Sequence, residues 1–284
     1  MTSWLRSIRL GDTLILQAFP ILGIFYAERD RVADDLIRVA LLLGSLSMLF
    51  AHIFAFNDLT DLDADAAHPH KASDTFTRRM SRRSMKALVV ALGAASGAGF
   101  ALLPARTRPF ALGLFLASVL YSHPRFAWKR VPLLSSALHL VSGAAHFLIG
   151  AVLGGALGAG SLLLAAWCGL VFAAGHLVQE VQDHDADRAS GIGTNAVRYG
   201  KRRVFVAAFI AFTLSFVYLG ALAAAGVIPA NLWLLVLAYP PVAYLFVRGW
   251  QRGIDVDEVR RIRSGYRILF ATVVTILVVG VWRA

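Results

Sequence analysis

Cysteine is nearly absent from this 284-residue chain: Cys168 stands alone. That excludes an intramolecular disulfide framework and a cysteine-based zinc knot. Charge is scarce as well, at 16% of residues, and acidic residues are outnumbered 17 to 28 by Lys and Arg. A water-soluble domain carries about 25% charged residues. The 24 glycines follow no Gly-X-Y period, so the chain is not collagen-like. What is abundant is apolar surface: 58% of residues are hydrophobic and the mean hydropathy is +0.65. Intrinsic disorder is excluded, because a chain stays disordered when it has too little apolar surface to bury. The composition is that of a polytopic membrane protein.

A helix crossing the bilayer core needs about 20 apolar residues. Runs of that kind fall at 11–28, 36–57, 85–104, 109–123, 133–154, 160–180, 204–226, 230–248 and 266–282. The sequence thus predicts about nine transmembrane helices in one all-α membrane domain spanning 1–284. Gly143, Gly150, Gly154, Gly155 and Gly158 are the small residues that let helices approach closely in lipid. A transmembrane barrel is excluded, since its signature is ~10-residue alternating segments. The first run has no small-residue cleavage site after it and reads as a retained span.

The net charge of +11 comes from basic residues in short loops rather than from one polar face. That placement suits membrane topology and anionic headgroups, and no nucleic-acid partner is expected. Most Lys and Arg fall on the side of the N-terminus. The exceptions are Arg29, Arg31, Arg38, Arg106, Arg108 and Arg283. The positive-inside rule then puts the N-terminus in the cytoplasm, with the inner cell membrane as the expected location.

Two acidic clusters each close a span on that side. The first runs Asn57, Asp58, Asp61, Asp63, Asp65; the second runs Glu180, Asp183, Asp185, Asp187. If the helices continue, Asn57, Asp61 and Asp65 share one face, as do Asp183 and Asp187. Like charges at i,i+4 repel, so such rows need a neutralising cation. Carboxylate and amide oxygens favour Mg²⁺, Mn²⁺ or Ca²⁺ over zinc or copper. Two such rows can hold metal ions that bridge a diphosphate.

Asn57-Asp58-x-x-Asp61-x-x-x-Asp65 resembles the first aspartate-rich motif of the UbiA-type intramembrane prenyltransferases. Asp183-x-x-x-Asp187-x-x-x-Gly191, with Thr194 and Gly200, resembles their second, and Tyr121-Ser122-x-Pro124 with Lys129 is similar to a third segment. The resemblance implies a helical bundle around a central cavity open to the cytoplasmic side and to lipid. It implies transfer of a prenyl group from an isoprenoid diphosphate to an aromatic or lipid-like hydrophobic acceptor. By position, Asn57, Asp61, Asp183 and Asp187 would bind Mg²⁺, with Asp58 and Asp65 assisting. Lys71, Tyr121 and Lys129 would hold the diphosphate, and Asp61, Asp187 and Lys129 would be the residues on which turnover depends.

The chain departs from the family where an Arg-Pro pair often follows the first motif. Here the stretch is His68-Pro69-His70-Lys71, with Arg78 and Arg79 further on, so Arg78 and Arg79 join Lys71 as candidate phosphate ligands. Histidines within spans are functional candidates. His176, seven residues before Asp183, and His146 are expected to line the acceptor pocket. Phe54, Phe56, Phe147 and Trp167 are candidate aromatic faces for a carbocation. Asp255, Asp257 and Glu258, set among arginines, read as a solvated interfacial segment. A terpene cyclase on the same fold and a cation-coupled transporter are the alternatives, the latter favouring acids nearer mid-span.

Overall fold

The computed structural model describes residues 9–27, 35–66, 80–155 and 157–283, and every regular element among them is helical. In chain order these are α1 (Leu10–Leu16), α2 (Ala18–Ala27), α3 (Leu36–Ala66), α4 (Arg82–Leu102) and α5 (Arg108–Ser122). They continue with α6 (Leu134–Gly154), α7 (Ala159–Ala189), α8 (Asn195–Tyr199), α9 (Lys201–Ala224), α10 (Tyr239–Gln251) and α11 (Val256–Arg283). Short 3₁₀ turns occupy Ala105–Thr107, Trp128–Arg130 and Ala230–Ala238.

Among the described residues, seven helices are long and apolar enough to cross a membrane, against about nine read from the sequence. The difference lies in two short elements. The first apolar run pauses at Gln17, and α5 has only 15 residues. Gln17 is buried and donates through Nε2 to the Ser47 hydroxyl at 3.2 Å, a polar contact that hydropathy does not register. Large apolar side chains such as Ile37, Val90, Leu102, Val141, Val217 and Ile268 stand exposed, as a lipid-facing surface requires. This is an integral membrane protein.

The described residues form two compact units, one from α1, α3, α4 and α5, the other from α2 and α6 to α11. In the first, α3 and α4 pack through buried Leu42, Leu46 and Phe50 on one side and Val89 and Phe100 on the other. His52 lies in that seam. Its Nδ1 pairs with the Val89 carbonyl at 2.8 Å, and its ring stacks between Phe56 and Phe115. A histidine inside a span here satisfies an interhelical hydrogen bond.

The second unit depends on backbone-to-backbone approach. A Cβ on Gly23 would collide with the Phe147 carbonyl, and one on Gly150 with the Pro20 carbonyl, so α2 and α6 pack at a distance only glycine permits. Behind them an aromatic core joins α9, α10 and α11. Phe212 meets Tyr266, Phe270 and Phe246 at ring-centroid distances of 4.8, 5.3 and 5.8 Å. Phe147 and Trp167, two of the candidate cation-facing aromatics, are fully buried in this core. Trp167 Nε1 donates to the Ser215 carbonyl at 3.0 Å. Both serve packing.

The turn between α10 and α11 corrects the expectation of a solvated segment. Gly253 and Ile254 take left-handed φ values of 85° and 58°, and they fold α11 back on α10. Glu258 is thereby buried and clasped by Arg248 Nε at 2.8 Å, Arg261 Nη1 at 2.8 Å and Arg252 Nη1 at 3.7 Å. A buried carboxylate is stable only when paired, and the neighbouring arginines that suggested a solvated face are its partners. Asp257, by contrast, is exposed and pairs with Arg260 Nη1 at 3.4 Å.

Candidate active site

Helix α3 does not stop at the membrane-spanning apolar run but continues to Ala66, so Asn57, Asp61 and Asp65 recur on one helical face. Asn57 Oδ1 accepts a hydrogen bond from Ser122 Oγ at 3.0 Å. Ser122 is the last residue of α5, which ends there because His123 precedes Pro124 and is driven to extended ψ. The third sequence segment, with half-buried Tyr121, is therefore held against the first acidic row within one unit. Ser122 was quoted in that third segment but given no role there, because its partner Asn57 lies 65 residues away in the chain.

Asp58 pairs with Arg9 Nη2 at 2.7 Å, and the same guanidinium lies over the Phe54 ring at 5.2 Å. Asp61 is half-buried. The side chains of Asp63 and Asp65, and all of His68, His70, Lys71, Arg78 and Arg79, lie outside the described residues.

The second row is built on α7, which extends from Ala159 to Ala189. Asp183 is half-buried and Asp187 is buried, while Asp185 faces outward and meets His184 Nδ1 at 2.7 Å. The helix ends in a tight reversal. Gly191 takes φ 67°, and the Ile192 N–H bonds back to the Asp187 carbonyl at 2.8 Å. The motif glycine is a left-handed helix stop, a position that strains any side chain.

Deeper on α7 lies a buried polar network. Glu180 Oε1 lies 3.0 Å from His176 Nε2 and accepts from Asn195 Nδ2 at 3.0 Å and Ser135 Oγ at 3.1 Å. The His139 ring stacks on His176 at 3.6 Å, and His146 packs edge-on against Phe172 at 5.4 Å. Asn195 also accepts from the Leu133 N–H at 2.7 Å and donates to Ser136 Oγ at 3.0 Å. Leu133 has a strained φ of 64°. Three residues before Pro132 sits Lys129, buried in the 3₁₀ turn Trp128–Arg130. A Cβ on Gly193 would come within 3.2 Å of the Arg130 carbonyl. The turn that carries Lys129 is thus fastened, through Leu133 and Arg130, to the segment that follows the second acidic row.

The donors in both rows are hard oxygens, from an amide at Asn57 and carboxylates at Asp61, Asp183 and Asp187. They suit Mg²⁺, which keeps several waters and binds through one or two carboxylates plus substrate phosphates. Among the described residues no three His, Cys, Asp or Glu side chains cluster so as to hold a metal ion.

A helical membrane fold with oxygen-donor rows closing two of its spans defines a class of intramembrane protein. The sequence profile of the UbiA prenyltransferase family matches residues 18–277, and this chain belongs to that family. Over 210 residues it is 30% identical to a lycopene elongase/hydratase of Haloferax volcanii, covering 72% of this chain and 64% of that protein. A protein of the same description from Halobacterium salinarum is 29% identical over 211 residues, covering 72% of each. The structure of a UbiA homolog from Archaeoglobus fulgidus bound to GPP and Mg²⁺ superposes with a TM-score of 0.79 over 100% of both chains, at 19% identity.

Proposed function

We propose that this protein is a Mg²⁺-dependent intramembrane prenyltransferase, joining the prenyl group of an isoprenoid diphosphate to a hydrophobic acceptor. The observation that carries this reading is the continuation of α3 and α7 past their apolar stretches, which sets both family motifs on regular helical faces at the ends of spans. In this reading Asn57, Asp61, Asp183 and Asp187 hold the metal, and Asp58 and Asp65 assist. Lys71, Arg78, Tyr121 and Lys129 hold the diphosphate. The names of the two archaeal relatives favour an acyclic polyene such as lycopene over an aromatic ring as acceptor. His176 and His146 line the region where it reacts. The N-terminus is cytoplasmic, and the protein resides in the inner cell membrane.

When bound, Mg²⁺ supplies positive charge against the departing diphosphate. The chain's own residues do the rest. Lys129, fixed in its turn by the Asn195 contacts, presents an ammonium group to the phosphates without reorganising during the reaction. The apolar spans exclude water, so the allylic carbon meets the acceptor before it meets hydroxide. The carbon–oxygen bond of the donor breaks with its electron pair on the diphosphate, and the acceptor's double bond supplies the pair for the new carbon–carbon bond.

The test uses purified protein in nanodiscs with an allylic prenyl diphosphate and lycopene. The expected result is diphosphate release and an acceptor heavier by one prenyl unit, abolished by EDTA and restored by Mg²⁺. A cyclised donor with the acceptor unchanged in mass would identify a cyclase instead. Absence of diphosphate release would overturn the reading and leave ion-driven flux as the activity to assay.

A further inference from the structure

His176, Glu180, Asp183 and Asp187 follow one another at i, i+4, i+7 and i+11, so they share one face of α7. At a rise of 1.5 Å per residue, Glu180 lies about 4.5 Å along the axis from Asp183, and His176 about 10 Å, both toward the apolar middle of the helix. A donor held by its diphosphate at Asp183 and Asp187, with its prenyl chain running toward the apolar middle of the helix, passes Glu180 on this face. Both His176 and Glu180 side chains are only 4% exposed.

The hydrogen bonding of Glu180 is lopsided. Its Oε1 gathers His176 Nε2, Asn195 Nδ2 and Ser135 Oγ, all within 3.1 Å. Its Oε2 is equally buried and has no hydrogen-bond partner among the described residues. Buried carboxylate oxygens are almost always bonded, and an exception calls for a reason. Here Asn195 Nδ2 and Ser135 Oγ both donate to one oxygen and fix the group in place, while the second oxygen keeps its lone pairs for an incoming proton. The clamp is itself rigid: His139 stacks on His176 and pairs through Nδ1 with the Ser135 carbonyl at 2.8 Å.

We propose that Glu180 is the general base of the transfer, its Oε2 taking the proton that the acceptor sheds after the new bond forms. This rests on the prenyltransferase reading above. Once the acceptor's double bond has attacked the allylic carbon, the acceptor carries a carbocation. A neighbouring carbon–hydrogen bond then breaks, its electron pair closes a new double bond, and the proton goes to Glu180 Oε2. Donor and acceptor become prenylated acceptor, diphosphate and one proton, which Glu180 passes to water when product leaves. Without the base, water adds to the cation instead, loses a proton to bulk solvent and leaves an alcohol.

Glu180→Gln tests this, since glutamine keeps the size and the Oε1 acceptor but cannot take the proton. Wild-type turnover of the prenyl diphosphate is measured first: its absence would remove the prenyltransferase reading and this proposal together, and a wild-type product that is already the alcohol, as the hydratase half of the relatives' name describes, would overturn this proposal alone. Given wild-type turnover, Glu180→Gln is expected to lower kcat by about 10²-fold, within the range for losing a general base. The donor KM is expected to hold within about 2-fold, and the product to shift from alkene to alcohol. A variant with wild-type kcat and alkene share would overturn the proposal while leaving the transferase reading intact. Should Glu180→Gln fail to elute as a folded protein, Glu180→Asp decides the matter. Its carboxylate, one methylene short, gives a reduced kcat with alkene still dominant if the proposal holds, and unchanged kcat if it does not.

Discussion

Asp187→Asn is expected to lower kcat by about 10³-fold and Asp61→Asn to do the same, in an assay of diphosphate release from an allylic donor. Losses of 10² to 10³ accompany removal of a single preorganised group facing charge that develops in the transition state. A metal ligand whose own charge also sets ion occupancy belongs at the upper end. Asparagine keeps the volume and one oxygen, so the effect is of charge and not of packing. The helix stop is untouched, because the Ile192 N–H bonds to the main-chain carbonyl of residue 187.

Asn195→Leu has the second large expected effect, and on a different quantity. Leucine fills a similar volume but removes the acceptor of the Leu133 N–H and the donor to Glu180 Oε1 and Ser136 Oγ. Each buried polar group left without a partner costs about 1–3 kcal/mol. Asn195 is itself buried, and Leu133 sits in a strained left-handed conformation that this bond helps hold. The sum expected is about 3 kcal/mol of lost stability, read from chemical or thermal denaturation in detergent micelles. Because the same bonds fasten the turn that carries Lys129, the donor KM should also rise. A variant that melts like wild type and binds the donor normally would show that the Asn195 bridge positions nothing.

Much of this was legible in the sequence, for reasons particular to each feature. The spans announced themselves by length and apolarity, and the acidic rows by a four-residue period that only a continuing helix turns into a face. Gly143 and Gly150 were read as close-packing residues, and both occupy sites where a Cβ would strike a neighbouring helix. Gly158, read the same way, has nothing near its Cβ position. What could not be read were partnerships between residues far apart in the chain. Ser122 with Asn57, Arg9 with Asp58 and Asn195 with Leu133 are separated by 65, 49 and 62 positions. Each involves a single polar residue, and a single residue carries no period. Glu258 misled for a related reason. Its neighbouring arginines look the same in sequence whether they face water or close around one buried carboxylate, and the left-handed turn at Gly253 and Ile254 decides between the two.

The function proposed above requires divalent-ion binding at both aspartate rows. Mn²⁺ titrated into nanodisc-embedded protein with an unreactive prenyl diphosphate analogue, and followed by electron paramagnetic resonance, tests it most directly. Bound Mn²⁺ in the wild type, weakened at least tenfold by Asp61→Asn and by Asp187→Asn alike, is the predicted result. Wild-type affinity in either variant would contradict it.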